Sequence, residues 1–317
     1  MQYDDLKLMV ETMSGGKNTV ILDDMGQPSM MVKIPKMTYA EMGLGASDAV
    51  FPAFIVGEKI LDAIYISKFQ NIVENDRAYS LPNKDPRTYV TFDQARTYCK
   101  NKGAGWHMLT MPERALIAWW SKKNGTMPRG NNNYGKDIVN AHEKGHETYK
   151  ADATRTGRVA GGSGPVSWSH DWTNDGIFDL NGNVWEWCDG FKIVDGVAQV
   201  MRNNNFEDLE SAWLNTGVNI TTGMTSGNRW LTHRAGDIAN APGQLWESLA
   251  IPATTSAAGS ADFGTDGFWF DATGERLPLI GGRWVNGSNA GVFALDLSYV
   301  RSLSDHSVGF RSAYAFL

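Results

Sequence analysis

The sequence predicts an α+β fold, with helices early and a strand-and-loop body late. Three observations predict it. Two helix starts with capping-box spacing fall before residue 125. Beyond that point Gly, Asn, Ser and Asp recur at short intervals and helical signals become sparse. Twelve tryptophans, set among 34 glycines, favour short strands and long loops held by aromatic contacts over a helical bundle. The chain shows no internal repeat and no low-complexity tract.

Taken in order, Asp4 to Met13 reads as a short helix ended by Gly15-Gly16. Thr19-Val20-Ile21-Leu22 reads as a strand, Asp23-Asp24-Met25-Gly26 as a turn, and Met30 to Ile34 as the strand that enters the main domain. Residues 1–30 thus form a small N-terminal segment, serving attachment or oligomerisation or simply extending the fold, and 31–317 form one domain. Thr91-Phe92-Asp93-Gln94 fits a capping box, in which the Thr91 hydroxyl and the Gln94 side chain satisfy orphan amides reciprocally. Phe92, Ala95 and Cys99 then recur at helical spacing, and Asn101 to Gly103 ends that helix. The pattern repeats at Thr110-Met111-Pro112-Glu113, with proline tolerated in the first turn. Leu116, Trp119 and Trp120 supply the apolar side, and Asn124-Gly125 stops it.

Composition bounds the function. The 317 residues carry a formal net charge of -6 and no Lys/Arg run, so the basic footprint of a nucleic-acid binder is missing. No stretch approaches the roughly 18 apolar residues needed to cross a bilayer. The opening MQYDDLKLMV carries acids where a secretory signal has a basic region, which leads us to expect no export by the usual route. Cys99 and Cys188 are too few for a disulfide scaffold and read as two buried free thiols, a single bridge between them staying open.

Several motifs follow one another in a telling order. They are Tyr65-Ile66-Ser67-Lys68-Phe69, the two capped helices, Leu180-Asn181-Gly182-Asn183-Val184-Trp185-Glu186-Trp187, Gly281-Gly282-Arg283-Trp284 and Val308-Gly309-Phe310-Arg311. In this order they resemble the formylglycine-generating-enzyme-like (sulfatase-modifying factor) family, which has a C-type lectin fold. The resemblance spans roughly residues 30–317, with loop-rich insertions near 125–165 and 191–275. Oxidising members of that family use two close cysteines between the Gly-Gly-x-Trp and Gly-Phe-Arg elements. From Gly281 to Arg311 this chain has none, so the thiolate that such chemistry requires is missing and the expectation is a protein that is not an enzyme.

The segment from Gly281 resembles more closely the C-terminal variable region of diversity-generating-retroelement variable proteins, in which a fixed lectin-type scaffold presents rewritten residues. The resemblance implies a variable region of about 281–311, with Arg283, Val285, Asn286, Asp296, Ser298, Tyr299, Leu303, Asp305, His306 and Ser307 as ligand-binding positions. "GSNAGVFAL", "RS" and "VGFRSAY" are the frame. The chemistry of the ten agrees: a cation, anions, an imidazole, a phenol and aliphatic groups, with poor alternation after Leu297. The rival reading is a polar C-terminal loop without a partner. The implied role is a hypervariable display protein of a phage or prophage, a receptor-binding component made in the cytoplasm and carried on the virion surface, or else resident in the cytoplasm. Its target is an unknown protein or glycan on a cell surface. It engages no nucleic acid, inserts in no membrane, and gains avidity as a homo-oligomer.

The expectation is that no cofactor is required. The family resemblance does imply a structural Ca2+ wrapped by Asp179, Gly182, Val184 and Glu186, oxygen ligands suiting a hard cation. The rival reading is a carboxylate satisfied by backbone amides. His142-Glu143-Lys144-Gly145-His146 matches the H-E-x-x-H pattern of a zinc hydrolase, with His170 the nearby third candidate, and marks the alternative function, a metal-dependent hydrolase. Gly145 and polar flanks argue against the helix that motif needs. His107, between Trp106 and Met108, reads as a core or edge residue, and His233 has no partner visible by sequence.

Overall fold

A computed structural model describes residues 3–221, 226–233, 245–251, 254–256 and 261–317. The fold is α+β, as the sequence predicts. The N-terminal helix spans Tyr3–Met13, and the two capped helices span Phe92–Lys100 and Met111–Asn124. Both capping boxes form. Thr91 Oγ1 accepts from the Gln94 amide at 3.3 Å while Gln94 Oε1 accepts from the Thr91 amide at 3.0 Å. Thr110 and Glu113 repeat the exchange, and Gly125 ends the second of these helices at φ 68°, where a side chain would be strained.

Two large sheets carry most of the rest, beside two short two-stranded pairs. The first has five strands in the order Asn18–Leu22, Pro28–Pro35, Ala63–Ser67, Ser312–Tyr314 and Trp106–Met108, so the last strand of the chain lies between two early ones. The hairpin of the first two strands is therefore the edge of this sheet, and the boundary expected at residue 30 falls inside the Pro28–Pro35 strand. The second sheet runs through Val197–Val200, Phe191–Val194, Glu275–Gly281, Gly291–Tyr299 and Gly267–Asp271. Trp185–Trp187 branches from it, pairing with both Glu275–Gly281 and Val308–Phe310.

The main core fills the space between the sheets and the Met111–Asn124 helix, with Leu116, Phe191, Phe293, Leu295 and Leu297 among its members. A second cluster joins the Phe92–Lys100 helix to Trp185, Trp187 and Phe310, so both tryptophans of the WEW strand do point to one buried face. Trp187 packs edge-on against Phe92 at 5.7 Å between centroids and donates its indole N–H to the Val90 carbonyl. Gly182, at φ 80°, lies so close to Asn131 that a Cβ would fall 2.1 Å from its carbonyl oxygen. The turn that launches this strand thus requires glycine. Cys99 and Cys188 are free and buried, and burial pushes both thiols up, away from the reactive thiolate.

Candidate binding face

Glu275–Gly281 and Gly291–Tyr299 are antiparallel neighbours, with Leu277 opposite Tyr299 and Leu279 opposite Asp296. The poor alternation after Leu297 argues against a core strand there, yet the strand continues to Tyr299. Leu295 and Leu297 go into the main core beside Phe268 and Phe270, while Asp296 takes the opposite face beside Trp269. The pattern is hard to see in sequence because that opposite face is itself closed by residues of the second cluster, including Ala294 and Leu277. Ser298 is half-buried and Tyr299 is 40% exposed, so the strand reaches solvent at its end.

The loop that follows folds back on this strand. Ser307 Oγ donates to Asp305 Oδ1 at 2.5 Å, and the Ser307 amide donates to the same oxygen at 2.8 Å. Arg283 Nη1, from the turn before the strand, donates to Ser307 Oγ at 2.9 Å. His306 Nδ1 sits 3.2 Å from Asp305 Oδ2. Burial pushes the Asp296 carboxyl up, with the Ser298 amide and the Arg283 charge partly offsetting it. Burial also raises Tyr299, and the nearby charges of Asp296 and Asp305 add to it. Burial opposes ionisation of Asp305, but the Ser307 and His306 contacts hold it below the usual carboxylate range. Arg283, Asp296, Tyr299, Asp305, His306 and Ser307 thus form one electrostatically connected group.

The remaining expected positions take different places. Val285 is 37% exposed on the turn between the two strands. Asn286 lies in the same turn, and its Oδ1 accepts from the Arg283 amide at 2.8 Å, which fixes the turn locally. Leu303 packs on the second core cluster. Two positions need correction as surface contacts: Asp296 and Ser307 are only 7% and 1% exposed, because the neighbouring strand and the returning loop cover them. Arg301, read as frame, is an anchor that bonds Glu210, Glu275 and Asp93 together.

Sequence reasoning missed the residues that surround His306. Its ring lies 5.4 Å from Trp284, 6.0 Å from Tyr149 and 6.4 Å from Tyr89. Arg158 donates to the His306 carbonyl at 2.9 Å, holds Asp85 through two nitrogens, and lies over the Tyr149 ring at 4.2 Å. Tyr149 and Arg158 belong to the 125–165 insertion, and Tyr89 is 62% exposed on the approach to the Phe92–Lys100 helix. Nothing in their spacing signals this, since it arises from folding an insertion against a segment some 150 residues later in the chain.

Of the oxygen set expected to wrap calcium, the Glu186 carboxylate and the Val184 carbonyl already have protein donors, whereas Asp179 Oδ1 is buried without a partner. Both Glu186 oxygens are taken by the buried Arg311 guanidinium, through Nε at 3.0 Å and Nη2 at 2.9 Å. Gln70 Nε2 donates to the Val184 carbonyl, the Asp179 carbonyl and Glu186 Oε1. Arg311 thus supplies a positive charge to Glu186 from within the protein, and like charge would oppose a cation placed beside it.

The H-E-x-x-H segment is not helical. His142 and His146 are exposed, whereas Glu143 is buried and bonded to Arg129, Ser167 Oγ and the Trp168 indole. Glu143 is thus committed to three donors of the insertion itself, and no three-residue metal cluster occurs among the described residues. The zinc-hydrolase geometry is therefore not met. His107 is a core residue stacked on Phe206 at 3.6 Å and bonded to Glu113. The side chain of His233 lies outside the described residues. No helix among the described residues is long and apolar enough to cross a membrane.

These features define an α+β domain of C-type lectin type, in which a strand end and the loop after it carry a polar and aromatic face. The chain belongs to the sulfatase-modifying factor enzyme 1-like domain family, whose profile matches residues 14–313. No curated protein matches the chain. Similar solved structures include PvdO from Pseudomonas aeruginosa, at 12% identity over 94% of this chain and 98% of that one, with a TM-score of 0.39. Treponema denticola variable protein 1 is similar at 15% identity, over 94% of this chain and 98% of that one, with a TM-score of 0.36. The P3c variant of the Major Tropism Determinant is similar at 10% identity, over 94% of this chain and 71% of that one, with a TM-score of 0.33.

Proposed function

We propose that this chain is a non-enzymatic display protein whose Arg283–Ser307 face binds a protein or glycan on a cell surface. One observation carries the reading. Arg283 and Asp305, 22 positions apart in a cysteine-free segment, are joined through the buried Ser307 hydroxyl, with Tyr299 and His306 beside them. The frame residues between and after them are core or anchor: Phe293 and Phe310 are fully buried, and Arg301 is held by three carboxylates. A rigid frame under a chemically mixed surface suits recognition, because contact residues can change without loss of the fold.

On this reading the face is rewritten by a retroelement, and the protein acts as a receptor-binding component on a phage virion, several copies acting together for avidity. Sequencing the DNA downstream of the gene tests it. A near-copy of the codons for residues 281–311, differing almost solely at template adenines and lying beside a reverse-transcriptase gene, is the expected result. Absence of such a copy overturns the diversification and with it the phage reading. Binding of the purified protein to host cells, lost on replacing Tyr299 and Arg283, tests the face itself.

A further inference from the structure

We infer that a second site lies away from this face, a cavity that takes a neutral, compact apolar molecule bearing one hydrogen-bond acceptor. The cavity has a volume of about 340 Å³ and lies between the Pro28–Pro35 strand and the Met111–Asn124 helix. Its walls are chiefly apolar: Val32, Ile34, Met37, Leu116, Ile117 and Trp120. None of the ten binding-face positions contributes to it.

One buried polar ring stands among these walls. His170 lines the cavity and is 5% exposed. The Ile177 amide donates to its Nδ1 at 2.9 Å, so Nδ1 is the acceptor nitrogen and the ring proton sits on Nε2. Among the described residues, the hydrogen bonds of His170 use its Nδ1, its amide and its carbonyl and leave Nε2 out. Burial lowers the imidazole to about 4, the charge of Asp171 only partly opposing, so the ring is neutral at physiological pH and offers a plain N–H donor. Trp120 lies against the same ring at 5.0 Å between centroids, which keeps its plane fixed.

The charges at the cavity balance. Lys17 and Lys33 are matched by Asp171 and Asp175, so neither an anion nor a cation is favoured. An engineered apolar cavity of roughly 150 Å³ accepts benzene, so this one has room for a two-ring body. Together the walls select for an apolar body, the His170 N–H for a carbonyl, ether or hydroxyl oxygen, and the balanced rim against net charge.

The test uses the full chain labelled with 15N-histidine and two matched probes, 2-acetylnaphthalene and 2-ethylnaphthalene, which differ in the acceptor. Saturable binding of the ketone, about five- to tenfold tighter than the hydrocarbon, is expected, as one buried hydrogen bond provides. The His170 Nε2–H resonance should move with the same saturation curve. Met37→Trp, at a half-buried wall position, should abolish binding while the far-ultraviolet circular dichroism stays unchanged. Absence of saturable binding overturns the proposal. So do equal affinities with an unmoved His170 resonance, or binding that survives Met37→Trp in a folded protein.

Discussion

Arg311 and Glu186 meet as a buried pair, with Nε to Oε2 at 3.0 Å and Nη2 to Oε1 at 2.9 Å, and neither side chain is more than 3% exposed. The arginine also donates to the Ser67 and Phe178 carbonyls, so a single guanidinium ties the first sheet, the WEW strand and the final strands together. Breaking one side leaves the other charge buried and unpaired, a loss of about 3–5 kcal/mol. Arg311→Met should therefore lower the urea midpoint severely. A midpoint close to that of the unaltered chain would show that the pair does not organise the fold.

Arg311 already supplies a cation to Glu186, and the expected outcome is that calcium adds little to stability. Millimolar Ca2+ and excess chelator should give melting temperatures within about 1 °C of each other, as expected without binding linkage. A rise that follows calcium concentration would restore the Asp179, Gly182, Val184 and Glu186 ligand set.

Asp179 is fully buried, its Oδ1 without a partner and its Oδ2 accepting from the Gly162 amide at 2.8 Å. Burial pushes its carboxyl up to about 6, while the Gly162 amide and the Arg311 charge pull the other way. A folded value above the unfolded one means that the fold binds the proton more tightly. The stabilisation is fully present below about pH 4 and is lost as pH rises through 6. Asp179→Asn keeps an acceptor for Gly162 and removes the charge. It should raise stability at pH 7 by about 2 kcal/mol and flatten the slope between pH 4 and 6, read by denaturant melts across that range. A steep slope retained in the variant would assign the effect to another group.

Tyr299 and Phe310 lie close in sequence and differ in burial, at 40% and 0% exposed. Tyr299→Ala should change stability by no more than roughly 0.5 kcal/mol, whereas Phe310→Ala or Trp185→Ala should cost about 3–5 kcal/mol. Denaturant titration separates the two cases. A Tyr299→Ala protein that melts early would make the tyrosine part of the core.

Glu143 stabilises the insertion. Glu143→Ala removes the acceptor for Arg129, Ser167 and Trp168 and should cost about 1–3 kcal/mol. Replacing the exposed His142 and His146 should stay within roughly 0.5 kcal/mol, and metal analysis of the purified chain should give no stoichiometric zinc. Bound zinc that is lost with His142→Ala would overturn this assignment.

The sequence by itself determined what depends on neighbours along the chain. Both capping boxes, the glycine at the helix end, the paired tryptophans of the WEW strand and the burial of both cysteines follow from local hydrogen bonding and periodicity. The order of its motifs was enough to mark the family. Tertiary structure alone decided which groups meet. The boundary near residue 30 dissolved because strand pairing, not composition, assigns an edge strand to its sheet. Asp296 and Ser307 became buried because a returning loop and a neighbouring strand cover them. Glu186 went to Arg311, Glu143 to Arg129 and Trp168, and Tyr149 to His306, across separations that leave no periodic trace. Carboxylates and rings carry no address in sequence. Their partners are set by which distant backbone segments the core brings within about 3 Å for a hydrogen bond.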